Sequence, residues 1–292
     1  MMYSPRHWPT WLGVGLFNAF SLLPVSWQRA LGRALGRLMH RVGASRRRIT
    51  RANLERCLPG RSPGALDALT RESFVNLGES IAELLMAWRA SERDIDSLAV
   101  DCIGLEPVRE ALDAGRGALV FFPHWIHIDL IARLLVRDLE RPIGALYRRH
   151  HNPVVERWQQ NGRERVGAHP LVPQDQVRTL VRILKRGGAM IYLPDQDYGP
   201  VRSAQVPFFG VPVRTTTAPA EMLRLTGALP FVMSAQRRRD VPGYRIELEA
   251  LDIDPTLDAV EMMTRINLAV EKAIRTAPTE YLWQHDRFKR SG

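Results

Sequence analysis

The chain has 292 residues, of which 45% are hydrophobic and 25% charged, a globular composition that excludes wholesale disorder. Two cysteines, Cys57 and Cys102, are too few for a disulfide framework or a Cys-rich zinc site, so a reducing compartment and a place in the core are expected of them. The formal charge of +10 suggests nucleic acid until it is located: residues 1–56 carry ten arginines against Glu55 alone, and the remainder is close to neutral.

Thr10–Trp27 is 18 residues without a charge, and it contains Asn18 and Pro24. A full span needs about 20 apolar residues, so the run predicts a short span or an interfacial helix, with a buried core helix as the plain alternative. The thin basic flank and the lack of a small-x-small site argue against a cleaved signal peptide. Arginines then recur at 29, 33, 37 and 41, with Leu31, Leu35, Leu38, Met39 and Val42 on much of the other side. That is the pattern of a helix lying in the headgroup plane of an anionic membrane. Were the first run to span, the basic flank would put the rest in the cytoplasm. No nucleic-acid-binding module accompanies the charge. The reading divides the chain into a membrane-anchoring segment, 1–45, and a catalytic domain, 46–292.

Residues 46–57 read as helix, and 62–90 as a longer one opened by Ser62-Pro63. Its Phe74, Leu77, Ile81, Leu84, Leu85 and Trp88 recur at helical spacing, a stripe for core or membrane-facing packing. Beyond residue 97, strands are predicted at Ser97–Ile103, Gly117–Phe122, Ile143–Tyr147, Ala189–Leu193, Leu229–Ser234 and Tyr244–Leu248. Helices are predicted at Leu105–Ala114, His127–Leu139, Asn152–Arg163, Gln174–Lys185, Ala218–Thr226 and Ala259–Thr276. The alternation predicts an α/β fold with a mixed, mainly parallel central sheet layered with helices. Active residues in such sheets gather at the carboxyl ends of strands.

The strongest local signal is Gly117-Ala-Leu-Val-Phe-Phe-Pro-His124-Trp-Ile-His127-Ile-Asp129. An apolar strand ends in a histidine, and an aspartate follows five positions later at the start of a helix. Within one helix the two would stand about 140° apart, but a turn can bring Asp129 back onto the imidazole. A histidine oriented by a carboxylate is a general base. No Ser or Cys nucleophile stands near, so the base would act on a substrate hydroxyl. Two other readings of the motif are a hydrogen-bonded structural histidine and a metal site using His124, His127 and Asp129, with His150 and His151 as the only further ligands in view.

His124 and Asp129 match the H-x4-D motif of the glycerolipid and lysophospholipid acyltransferases, and the wider text resembles their lipid A branch, the Kdo-dependent lauroyl/myristoyl acyltransferases of Gram-negative bacteria. The resemblance runs over almost the whole chain. It is carried by Arg51-Ala-Asn53-Leu54 with Cys57 and Pro59, Tyr147-Arg148 with Asn152-Pro153, and Pro194-Asp195-Gln-Asp197-Tyr198-Gly199-Pro200. Val206-Pro-Phe-Phe-Gly210, Thr215-Thr-Thr217 and Tyr281-Leu-Trp283-Gln-His285-Asp-Arg287-Phe-Lys289 complete it. It implies transfer from acyl-acyl carrier protein to a hydroxyl of a Kdo-bearing lipid A precursor, at the cytoplasmic side of the bacterial inner membrane, without a metal or redox cofactor. His124 would be the base and Asp129 its partner. Arg148, Asp195, Asp197 and Arg202 would contact the substrate, with Arg214 a further headgroup candidate. Phe208, Phe209 and Met222 are candidate walls for an acyl slot. Two departures stand out. Asp286 interrupts what is more usually an H-R-R run, and Asp129 stands where many lipid A members carry Glu. Other acceptors within the class are a lysophospholipid, an aminolipid or a glycolipid. Outside it stand a metal-dependent hydrolase using His124, His127 and Asp129, and a membrane-binding protein without chemistry.

Overall fold

The uncharged N-terminal run forms no single helix. The chain folds as α1 (Trp8–Phe20), a turn at 21–24 ending in Pro24, and α2 (Val25–Val42). Gln28 closes that turn by donating through Nε2 to the carbonyls of Ser21 and Leu23. Thirteen residues make α1 about 20 Å long, and among the described residues no helix is long and apolar enough to cross a membrane. The computed structural model describes residues 2–164, 171–197, 199 and 201–289; Tyr198 and Pro200 of the Pro194–Pro200 block lie outside them.

In chain order there follow α3 (Ala44–Cys57), α4 (Pro63–Arg89), α5 (Glu92–Asp96), β1 (Ala99–Ile103), α6 (Leu105–Asp113), β2 (Ala118–Phe121) and α7 (Ile128–Leu139). Next come β3 (Ile143–Tyr147), α8 (Pro153–Glu164), β4 (Leu171–Pro173), α9 (Val177–Lys185), β5 (Ala189–Tyr192), β6 (Ser203–Phe208) and β7 (Val211–Thr216). The chain closes with α10 (Ala218–Thr226), β8 (Leu229–Arg237), β9 (Gly243–Ala250) and α11 (Ala259–Thr276). The central sheet has the order β1-β9-β8-β2-β5-β3-β4, and every pairing is parallel except β8 with β9. The mixed, mainly parallel sheet layered with helices is the expected class. β2 and β5 are wholly buried, as strands covered on both faces must be. Three strands were not expected: short β4, and β6 and β7, which form a separate antiparallel hairpin. The hairpin is built from Ser203–Phe208 and Val211–Thr216, where Pro207 and Pro212 obscure a strand pattern.

Helix α4 is the central shaft. Ser62 Oγ accepts the Ala65 N–H at its start, and Pro63 fills the first turn. At its far end the buried Arg133 guanidinium donates to the carbonyls of Met86, Ala87 and Ala90, in the last turn where helical acceptors run short of N–H partners. α2 crosses it glycine to glycine: a Cβ at Gly78 would lie 2.1 Å from the Gly32 carbonyl oxygen, and one at Gly36 2.2 Å from that of Phe74. The arginine row of α2 is therefore split. Arg29 and Arg33 turn to Glu79 on α4, whereas Arg37 and Arg41 stay exposed. Trp27, Leu31, Leu35, Leu38 and Val42 form an exposed apolar row along the outside of α2, and Trp8, Leu12 and Leu16 another along α1. Both cysteines sit in apolar surroundings, which push the Cys57 thiol far up and the Cys102 thiol to about 12, so neither is a ready nucleophile.

Candidate active site

The site begins with two strands that leave the sheet in the same way. Phe121 of β2 lies opposite Tyr192 of β5 in parallel register, and the Phe122 N–H extends the ladder to the Tyr192 carbonyl. Each strand then runs through one apolar residue and a proline, Phe122-Pro123 and Leu193-Pro194, to a polar residue three positions past the pair. Equal offsets from paired residues bring His124 and Asp195 together. Asp195 Oδ1 lies 2.7 Å from His124 Nδ1, and Oδ2 accepts the His124 backbone N–H at 2.9 Å. The Tyr281 hydroxyl donates to Oδ2 at 2.7 Å. Asp195 is fully buried. Burial alone would raise its pKa, but the His124 imidazole and these hydrogen bonds outweigh burial and hold it below its ordinary value. The His124 ring keeps 22% of its side-chain surface open, and its Nε2 has no hydrogen-bond partner among the described residues.

The carboxylate on His124 is therefore Asp195 and not Asp129. Asp129 is the second residue of α7, and there its side chain faces α4 and α8. It accepts Arg163 Nε at 2.6 Å and Nη2 at 3.2 Å, with the Trp88 indole N–H at 3.1 Å. Burial works against the Arg163 charge, but Asp129 outweighs it and raises the guanidinium pKa further.

His127 leaves the site altogether. It is buried, with Nε2 2.7 Å from Glu280 Oε2, and the same carboxylate oxygen accepts the Arg237 N–H. Arg237 in turn forks onto buried Glu83, which also accepts the Tyr244 hydroxyl. Burial pushes Glu83 up, yet the Arg237 charge and these bonds hold it at about 2. His124, His127 and Asp129 thus face three different partners, and among the described residues no group of three His, Cys, Asp or Glu is placed to hold a metal ion.

The remaining candidates separate. Arg148 follows β3 at the same edge of the sheet, exposed and without a hydrogen bond or ion pair to a described residue. Asp197 closes a turn by accepting the Gly199 N–H. Arg202 pairs with exposed Glu221, and the Arg214 carbonyl accepts from Arg287. Phe208, Phe209 and Met222 are buried in the core. A cavity of about 340 Å³ lies elsewhere, beneath α1, walled by Trp11, Val14, Leu85, Trp88, Val154 and Trp158. Trp88 links it to Asp129.

Several motif residues of the sequence tie the site together. Asn53 donates to the carbonyls of Trp283 and His285, securing the C-terminal segment to α3. That segment runs antiparallel to the His124 loop: Ile126 N–H donates to the Glu280 carbonyl, and Leu282 N–H to the His124 carbonyl. Asn152 caps α8 through the Val154 N–H and donates to Thr10 of α1. Arg163, Glu280 and the Glu83–Arg237 pair were not anticipated, because their partners are 34 to 154 residues away in sequence.

Comparison with known proteins agrees over the whole length. A family model described as bacterial lipid A biosynthesis acyltransferase matches residues 2–290. The chain is 35% identical to a lipid A biosynthesis lauroyltransferase of Escherichia coli (strain K12), over 99% of this chain and 94% of the relative. It is 34% identical to a palmitoleoyltransferase of the same pathway and strain, over 98% and 92%, and 28% identical to a myristoyltransferase, over 96% and 86%. The chain belongs to the bacterial lipid A biosynthesis acyltransferase family, and its chemistry is acyl transfer.

Proposed function

We propose that the protein moves a fatty acyl group from acyl-acyl carrier protein to a hydroxyl of a Kdo-bearing lipid A precursor, with His124 as general base. The observation that carries this reading is the His124–Asp195 pair: Nδ1 is held by a buried carboxylate, and Nε2 is left open. His124 Nε2 takes the proton of the acceptor hydroxyl as its oxygen attacks the thioester carbonyl. Asp195 fixes the Nδ1–H tautomer and stabilises the imidazolium once it forms. As the tetrahedral intermediate collapses, the C–S bond breaks and the thiolate leaves with the proton returned from Nε2. The chain needs no nucleophile of its own for this sequence. Exposed Arg148, at the same edge of the sheet, has its fork free for a phosphate or sugar-acid carboxylate of the acceptor. The cavity beneath α1, where Trp11, Val14, Leu85 and Trp88 stand alongside Asn18, Arg89, Arg157 and Asn161, is the seat we assign to the acyl chain.

The exposed rows on α1 and α2 support a membrane-surface role. Apolar side chains point outward beside Arg37 and Arg41, the arrangement of a helix resting on an anionic bilayer. In this reading the enzyme works at the cytoplasmic face of the inner membrane, where acidic carrier protein and lipid acceptor meet.

The test is a purified-enzyme assay with acyl-carrier protein thioester and a Kdo-bearing tetra-acylated precursor, read by mass spectrometry. One added acyl chain is expected, lost in His124→Ala. Transfer only to some other lipid would overturn the acceptor assignment, and a wild-type requirement for added divalent metal would overturn the base mechanism.

A further inference from the structure

We infer that Tyr281 is a positioning residue of the acyl-transfer site, acting on His124 through Asp195; this rests on the reading of His124 as the base. Its hydroxyl donates to Asp195 Oδ2 at 2.7 Å, on the oxygen that also takes the His124 backbone N–H, while Oδ1 faces the imidazole. Both Asp195 and Tyr281 are buried, so little water competes for the carboxylate. Burial, reinforced by the neighbouring carboxylate, holds the Tyr281 phenol well above its ordinary pKa, and it stays a donor throughout the working range.

A donor on this carboxylate has two effects. It fixes the carboxylate plane, so that Oδ1 stays aligned with Nδ1. It also draws negative charge away from Oδ1, so the imidazolium is stabilised less than it would be by a carboxylate with one donor fewer. A weaker pull lets His124 return its proton to the leaving thiol, the second half of the reaction.

The ring is held independently of its hydroxyl. Tyr281 packs edge-on against Trp283 at 4.7 Å and Trp125 at 6.4 Å, and its backbone bridges to Trp125. Removing the oxygen leaves Asp195 with both bonds from His124. The other titratable and charged groups facing this cluster are His285, whose pKa is lowered by burial and by His124, together with Arg287, Lys289 and the Cys57 thiol. They are common to wild type and variant, so a difference between the two reports the hydroxyl.

The experiment compares wild type with Tyr281→Phe in two readouts: the pH profile of kcat/KM, and an NMR titration of the His124 imidazole that needs no turnover. The acid limb and the imidazole signal should both move to higher pH in the variant, with KM for both substrates unchanged. Replacing Tyr281 with 3-fluorotyrosine keeps the hydroxyl and strengthens the donor, so it should move both downward even if the phenylalanine variant folds poorly. Wild-type values in both substituted proteins, with His124→Ala inactive, overturn the inference alone. A His124→Ala enzyme that still transfers acyl groups overturns the base assignment beneath it.

Discussion

Two aspartates near the carboxyl edge of one sheet do different work, and their surroundings say why. Asp195 sits at the end of a strand, fully buried, and gathers donors from a histidine and a tyrosine. Asp129 sits in the first turn of a helix and grips an arginine from the helix opposite, with a tryptophan beside it. The first arrangement leaves one ring nitrogen able to accept a proton. The second spends its carboxylate on a cation and ties α7 to α4 and α8, two of the helices that wall the cavity. The lesson is that a carboxylate close to a histidine in sequence is a weaker guide than one at the matching position of a neighbouring parallel strand.

The sharpest way to break this comparison is to neutralise each aspartate. Asp195→Asn should lower kcat by about 10³–10⁴-fold with the fold intact, measured by single-turnover acyl transfer. Asp129→Asn should cost turnover only about 10–100-fold and lower stability by about 1–3 kcal/mol, because the partly buried Arg163 loses its carboxylate. An Asp129→Asn enzyme as inactive as Asp195→Asn, yet fully stable in urea, would reverse the two roles.

Glu83→Gln tests the ground beneath both. Taking the forked carboxylate from mostly buried Arg237, which keeps only nearby Glu280, should cost about 3 kcal/mol in urea unfolding. Because the folded carboxyl is held at about 2 against its ordinary 4.5, its contribution is complete above about pH 4.5, declines as pH falls and is gone below about pH 2. Stability in the variant should therefore fall less steeply between pH 4.5 and 2.

A smaller effect is expected at the cavity. A Cβ on Gly162 would come within 2.4 Å of the Trp88 indole, so Gly162→Ala should press Trp88 into the cavity and toward Asp129. We expect kcat/KM for the preferred chain to fall about tenfold, with shorter chains less affected, measured by competition between acyl-carrier proteins. The smallest effect on the folded protein comes from the outer row of α2. Leu31→Ser with Leu35→Ser should abolish sedimentation with anionic vesicles while changing stability by less than about 1 kcal/mol. Deleting residues 1–45 is a poorer test, because it strips α2 from the glycine contacts of α4.

Much of this was legible in the text of the chain. The strands that build the edge of the site, the long helix with its Ser62 cap and the histidine at the end of β2 follow from periodicity and turn chemistry. The partner of His124 did not, although a signal was present: Val120-Phe-Phe-Pro-His124 and Ile191-Tyr-Leu-Pro-Asp195 share one pattern, an apolar strand, a proline and a polar residue at equal offset. What the text lacks is strand order. Only the adjacency of β2 and β5 turns two similar endings into one site. The glycines of α2 were hidden for a related reason, since a missing side chain is informative only when the facing backbone is known.

That crossing has a geometric consequence. Gly78 and Trp88 are ten residues apart on the same helix, about 15 Å along its axis. Backbone touches backbone at one end, and the indole meets the Asp129 carboxylate at the other. The outer leucines and the cavity are thus joined by a rigid strut with no linker between them. If the proposed docking on lipid holds, a tilt of the outer leucines would carry the cavity with it, and the docking angle would bear on which acceptor position is reached.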